Sequence, residues 1–270
     1  MLDPLLQKYQ EHLILDAGGW SERNERQRAL STRVFLEGMQ ADGLQAVNVA
    51  ARDLLLGPQE LQALQDSLQL QFLSANIYVD RKLRFQPYIV LQKEVAGKPL
   101  RIGIVGVTLP SQLALEEWPS GSQLEITDPL EAARQTLEGL RPQTDLRILL
   151  AHLPLSTLEE FARAEPYGYD LLISGTGEVR ETVPVGPTPA VLSPGTRGKH
   201  LAWLHLRPGS AGKTEITGGQ VLALDDRITD DPAMAARVAG FKTRLAAAGG
   251  DSTTVAHEPA ESAASAPATP

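Results

Sequence analysis

The stretch Asp170–Thr182, DLLISGTGEVRET, carries the decisive pattern of the chain. Leu171, Leu172 and Ile173 form a short apolar run that opens into a turn containing Gly175, Thr176, Gly177 and Glu178, as a buried strand does at its carboxyl end. In α/β folds such loops hold the ligand. A second strand, LRILLAHLPLS, ends the same way at His152, so the tips of two strands are expected to share one site.

Working outward in both directions, strands and helices alternate. LILD (13–16) is a strand that follows a helix ending near residue 12. RALSTRVFLEGMQ places Leu30, Val34 and Phe35 on one helical face, and LQAVNVA is the next strand. Pro58 suits the first turn of a helix whose Leu61, Leu64 and Leu68 form a stripe. QFLSANI is a strand, and PYIVLQKEV with LRIGIVGVT reads as a hairpin turning at AGKP. Asp128, Pro129 and Glu131 open a helix with Leu130, Ala133 and Leu137 inward. Ser156 and Glu159 have the spacing of a capping box.

From Ala190 onward the pattern changes to strands without helices, AVLS, HLAWLHLR and TEITGGQVLAL, which reads as a β-meander. Residues 232–247 form a last helix, and the Ser/Ala/Pro-rich remainder has too little apolar content to fold. The expected architecture is α/β, a layered sandwich of two mixed sheets flanked by helices. Its expected divisions are a main domain over 1–228, a C-terminal helix over 229–248 and a disordered tail over 249–270.

Composition narrows the chemistry. The 270 residues are 42% hydrophobic and carry 33 Asp and Glu against 25 Lys and Arg, a formal charge of −8 that opposes nucleic acid as a partner. With no cysteine, thiolate metal sites, disulfides and cysteine nucleophiles are excluded. No stretch reaches the ~20 apolar residues of a spanning helix, and no basic segment precedes an apolar core at the N-terminus. A soluble, cytoplasmic protein is the expectation from the sequence as it stands.

Three local signals have plain explanations. GSAGKT (209–214) lacks the spacing of a phosphate-binding loop and joins two strands, as a hairpin turn does. The run WSERNERQR mixes both signs around a helix start, as solvated surface does. His12, His200, His205 and His257 are scattered, so spacing alone declares no metal site.

The ordered set LILDAGGW, LQAVNVAARDLLLG, FLSANIYVD, LRIGIVGVT, ILLAHLPL, DLLISGTGE and SPGTRGKHLAWLHL resembles the calcineurin-like metallophosphoesterase domain of bacterial 5′-nucleotidases over about residues 8–206. That resemblance implies two metal ions that polarise a phosphoester and generate a hydroxide, held by a dense shell of Asp, His and Asn. Carried over position by position, the pattern is depleted. The family's opening Asp-x-His would lie upstream of Met1. Its Asp-x-Gly-Asp-like turn falls on Asp16, Ala17, Gly18 and Gly19, with Gly19 where the metal-bridging carboxylate belongs. Its Gly-Asn-His-Glu falls on Ala50, Ala51, Arg52 and Asp53, so the Asn is lost at Ala51 and the catalytic His becomes a cation, Arg52. The fourth motif's His is kept as His152, and Gly-His-x-His becomes Gly175, Thr176, Gly177 and Glu178.

The resemblance therefore implies a phosphoesterase fold without hydrolytic activity, a binding or regulatory subunit with no cofactor. Its partner would be an anionic small molecule, bound by Arg52, His152 and Arg197, or another protein. The rival expectation is an active phosphatase or nucleotidase with Mn, Mg or Zn on a rebuilt site, drawing on His152, Asp16, Asp53 and Glu178. If the true start lies upstream, export to the periplasm is expected instead.

Overall fold

The computed structural model describes residues 11–22, 24–95, 97–119, 121–177, 179–208 and 214–247. In chain order the elements are β1 (Ile14–Asp16), α1 (Glu25–Ala41), β2 (Leu44–Asn48), α2 (Gly57–Leu68), β3 (Gln71–Leu73), β4 (Ile77–Val79), β5 (Lys82–Leu83), β6 (Tyr88–Val95) and β7 (Lys98–Thr108). There follow α3 (Gln112–Glu117), β8 (Leu124–Ile126), α4 (Pro129–Leu140), β9 (Leu146–His152), α5 (Leu155–Ala164), β10 (Leu171–Ser174), β11 (Gly186–Pro187), β12 (Ala190–Leu192), β13 (His200–Pro208), β14 (Thr214–Ala223) and α6 (Pro232–Ala247).

Successive side chains of a strand point to opposite faces, and here that period sorts the core into layers. Ile104, Ile148, Leu150 and Leu171 turn inward and meet Ala46 and Leu73 between the sheets. Val105, Leu149, Ala151 and Leu172 turn outward and meet Ala133 and Leu137 of α4 and Leu158 and Phe161 of α5. On the far side, Val47 and Phe72 pack against Leu36 of α1 and Leu61, Leu64 and Leu68 of α2. The order through the molecule is helices, sheet, sheet, helices.

One sheet is parallel, in the order β1-β2-β3. The facing sheet runs β12-β10-β9-β7-β6, parallel apart from β6, which joins β7 as a hairpin. Two small antiparallel sheets, β11-β14-β13 and β5-β4-β8, sit beside them. Parallel order brings the carboxyl ends of β1, β2, β7, β9 and β10 to one end of the sandwich, which is how the site is assembled.

Five details depart from the sequence-based expectations. The strand AVLS is not part of a meander: β12 pairs parallel with β10, Leu171 opposite Ala190, and its three residues are buried in the main sheet. QFLSANI is two strands, because the buried Ser74 and Asn76 between them bond outside the sheet; the Asn76 amide donates to the Thr108 and Thr127 carbonyls. On α1 Val34 is buried as read, but the fully buried residue is Leu36, while Phe35 is 38% exposed. On α4 the buried residues are Pro129, Ala132, Ala133, Leu137 and Leu140, with Leu130 only partly covered. Ser156 caps nothing, since α5 begins at Leu155 with Pro154 before it and no side-chain cap bond.

The expected start of the helix at 128–131 stands as read. Asp128 accepts from the Glu131 N–H at 2.7 Å, as an N-cap does. Residues 209–213 of GSAGKT lie outside the described residues, and the strands on either side pair with Pro208 opposite Thr214. The terminal helix α6 rests on α1 through Met234, set over Gly38, and an Arg237–Glu37 ion pair at 3.9 Å.

Candidate functional site

The site lies where β1, β2, β7, β9 and β10 end. Thr108 pairs with His152 across β7 and β9, and Ser174 with Ala151 across β9 and β10, so the loop starts stand level. Asn48, at the end of β2 and fully buried, ties the two sheets beneath them: its amide nitrogen donates to Ala17 O at 3.0 Å and to Val107 O at 2.9 Å. The Thr108 hydroxyl accepts from Ala51 N–H at 3.1 Å and fixes the turn after β2 to the end of β7.

That turn carries Arg52 and Asp53. Asp53 is fully buried and its carboxylate accepts three backbone N–H groups, from Ala50 and Ser21 at 2.8 Å and from Gly19 at 2.9 Å. Burial pushes its carboxyl up to about 6, outweighing those three bonds and the charge of Arg52, which pull the other way. Both oxygens are thus occupied in holding the loop after β1 to the loop after β2. This carboxylate organises backbone and presents no face to a ligand.

His152 sits between two glycines. A Cβ at Gly19 would lie 2.5 Å from His152 Cε1, and one at Gly175 would lie 2.9 Å from Nδ1, so the ring lies flush against both backbones. Gly19 also has φ +84, a conformation that costs a side-chain-bearing residue about 1–2 kcal/mol. Burial and the Arg52 charge lower His152 to about 4, against a smaller opposing effect from the Gly18 backbone, and the imidazole is neutral at pH 7. Its Nδ1 is buried without a hydrogen-bond partner.

Arg52 reaches across the same gap and donates through Nη2 to the Gly19 carbonyl. Its Nε is buried without a hydrogen-bond partner. Gly19, Arg52 and His152 are therefore together. Gly19 has no side chain to ligate a metal, and the ring of His152 closes on the space where one would stand.

The remaining sequence candidates divide. Ala51 is buried and contributes only its N–H. Thr176 turns its hydroxyl to the Leu153 carbonyl at 2.7 Å. Asp16 is half-buried, accepts from Gly18 N–H at 2.8 Å and is raised in pKa by burial. Arg197 is exposed, in a left-handed backbone conformation at φ 64, on the loop after β12. Glu178 lies outside the described residues.

A dinuclear metal centre needs several deprotonated donors converging on each ion. Among the described residues no three His, Cys, Asp or Glu side chains converge in this way. Asp53 is occupied by backbone, Gly19 and Ala51 have no ligating side chain, and Arg52 places a positive charge beside His152. The described donor set does not fit two metal ions.

Two residues important to this geometry were missed in the sequence. Asn48 had a signal, a polar residue within the apolar strand LQAVNVA, and Thr108 closes LRIGIVGVT in the same way. Buried polar groups of this kind usually have named partners.

No family model matches the chain. No curated protein matches either. Solved structures do. The 5′-nucleotidase precursor of Thermus thermophilus superposes with a TM-score of 0.73 at 20% identity, covering 91% of this chain and 52% of that one. The NAD nucleotidase of Haemophilus influenzae gives 0.71 at 16%, covering 91% and 53%. A calcineurin-like phosphoesterase of Bacillus subtilis gives 0.72 at 17%, covering 92% and 88%. The chain spans about half the length of the two nucleotidases. At these identities the likeness is one of fold.

Proposed function

Taking the calcineurin-like metallophosphoesterase fold as premise, we propose that this chain is a non-catalytic binding or regulatory subunit in which Arg52 and His152 receive an anion in place of a dinuclear metal site. The observation that carries this proposal is the Arg52 guanidinium beside a neutral His152 at the convergence of the strand ends. A guanidinium offers planar, paired donors suited to phosphate or carboxylate, and Arg52 is only partly buried. Arg197, exposed on the loop after β12, is the second cation of the proposal. No helix among the described residues is long and apolar enough to cross a membrane.

The test is metal content of the purified protein by elemental mass spectrometry, with and without Mn, Mg or Zn. Phosphate release from p-nitrophenyl phosphate follows on the same sample. Substoichiometric metal and no turnover are the expected results, with Arg52→Ala abolishing the binding of phosphate-like anions. Near two equivalents of metal with metal-dependent turnover would establish the rival, an active phosphatase with Asp16, Asp53, His152 and Glu178 as a rebuilt ligand set.

A further inference from the structure

We infer that the ligand at Arg52 is a small organic anion bearing an apolar group, its charge on the guanidinium and its apolar part against Leu109 and Leu113. This rests on the anion-binding function proposed above and names the class of ligand. The leucines belong to the segment that leaves β7 at the site. Leu109 follows Thr108, whose hydroxyl holds the Ala51 N–H, and its own N–H meets the His152 carbonyl at 3.4 Å. It therefore stands beside both the turn that carries Arg52 and the strand end that carries His152.

Leu113 lies on α3, which is seated against the same turn: Ala114 and Trp118 share one core cluster with Ala51 and Leu54. With the inward face of α3 occupied in this way, Leu109 remains 41% and Leu113 50% exposed. Single exposed leucines are ordinary on a protein surface. Two on one short segment bordering the partly exposed Arg52 form an amphiphilic site. Inorganic phosphate would leave the leucines in water, and an anionic lipid surface would meet a chain of net charge −8. A compact organic anion satisfies both halves at once.

Methylphosphonate and phenylphosphonate test this by isothermal titration calorimetry, because they share a charged group, differ in apolar area and have no ester bond to cleave. Phenylphosphonate is expected to bind about tenfold more tightly, the scale of partly burying one ring. The double variant Leu109→Ser/Leu113→Ser should bring the two ligands to equal affinity. Leu83→Ser, an exposed leucine on β5, should leave the preference intact. Arg52→Gln should abolish binding of both ligands while melting within a few degrees of wild type, and Arg52→Lys should keep the preference at reduced affinity. Equal affinities in the wild-type protein, or a preference that survives in the double variant, overturn the inference and leave the anion site standing. No binding of either ligand overturns the anion site itself.

Discussion

Asp53 and His152 occupy the same end of the same sandwich, both contact the Gly18–Gly19 loop, and yet their polar atoms have opposite fates. The Asp53 carboxylate has three backbone donors and serves as an internal brace. The His152 Nδ1 and the neighbouring Arg52 Nε are buried without partners. Leaving such groups unpaired costs about 1–3 kcal/mol each, so a folded chain rarely keeps them without a use. The contrast separates a carboxylate that holds the loops together from an imidazole and a guanidinium that keep unpaired nitrogens, although each falls in a stretch of sequence resembling a metal-binding motif.

The largest expected effect comes from breaking the brace. Asp53→Ala leaves three N–H groups without their acceptor and should lower stability by about 3–5 kcal/mol in urea denaturation. A loss below about 1 kcal/mol would mean that the loops are held by something else. Next is Gly19→Ala, which combines a positive φ with a Cβ 2.5 Å from His152 Cε1. It should cost about 2–4 kcal/mol. Adding His152→Ala should recover part of that loss, and strict additivity of the two variants would show that the ring and the glycine do not meet.

The pH dependence sharpens the comparison, because the two groups titrate with opposite sign. Asp53 is raised from its ordinary 3.8 to about 6, so the folded chain holds its proton more tightly than the unfolded one. Its contribution is present below the lower value and lost as pH rises through the upper one. His152 is lowered from 6.5 to about 4, so its contribution is present above 6.5 and lost as pH falls through 4. The stability advantage of wild type over His152→Gln should shrink as pH falls from 6.5 to 4. Relative to Asp53→Asn, the wild-type chain should instead lose ground as pH rises from 3.8 to 6. Denaturation series across this window measure both, and parallel trends would contradict the assignment. The smallest effect is expected at Arg197→Gly, which relieves a left-handed backbone at φ 64 on an exposed loop. Stability should change by less than about 1 kcal/mol, in the stabilising direction.

Much of the fold was legible because strand period and apolar content agree with burial. LRILLAH and DLLIS are strands with alternate residues in two different cores, and the hairpin of β6 and β7 turns where Gly97 has φ +74. What failed was decided at long range. AVLS has the same local pattern whether it joins a meander or a parallel sheet, and only its pairing with β10 settles the matter. Leu36 rather than Phe35 faces inward because the helix is rotated to meet Leu61 and Leu64, which its own sequence does not specify. At the site, the order of motifs located Gly19, Arg52 and His152 on adjoining strand ends. It did not reveal that Asp53 braces backbone or that Asn48 ties the sheets, since both depend on atoms contributed from elsewhere in the chain.

The slot that Gly19 and Gly175 form around His152 has a consequence for isotope labelling. The carbon-bound hydrogen at Cε1 of an imidazole exchanges with heavy water over days, through a species that must first be protonated and then reached by solvent. Here protonation is suppressed to about pH 4 and Cε1 faces the Gly19 backbone. His152 should therefore be among the slowest histidines of the chain to take up deuterium, and a ligand or variant that opens the slot would appear as a rise in mass at a single peptide.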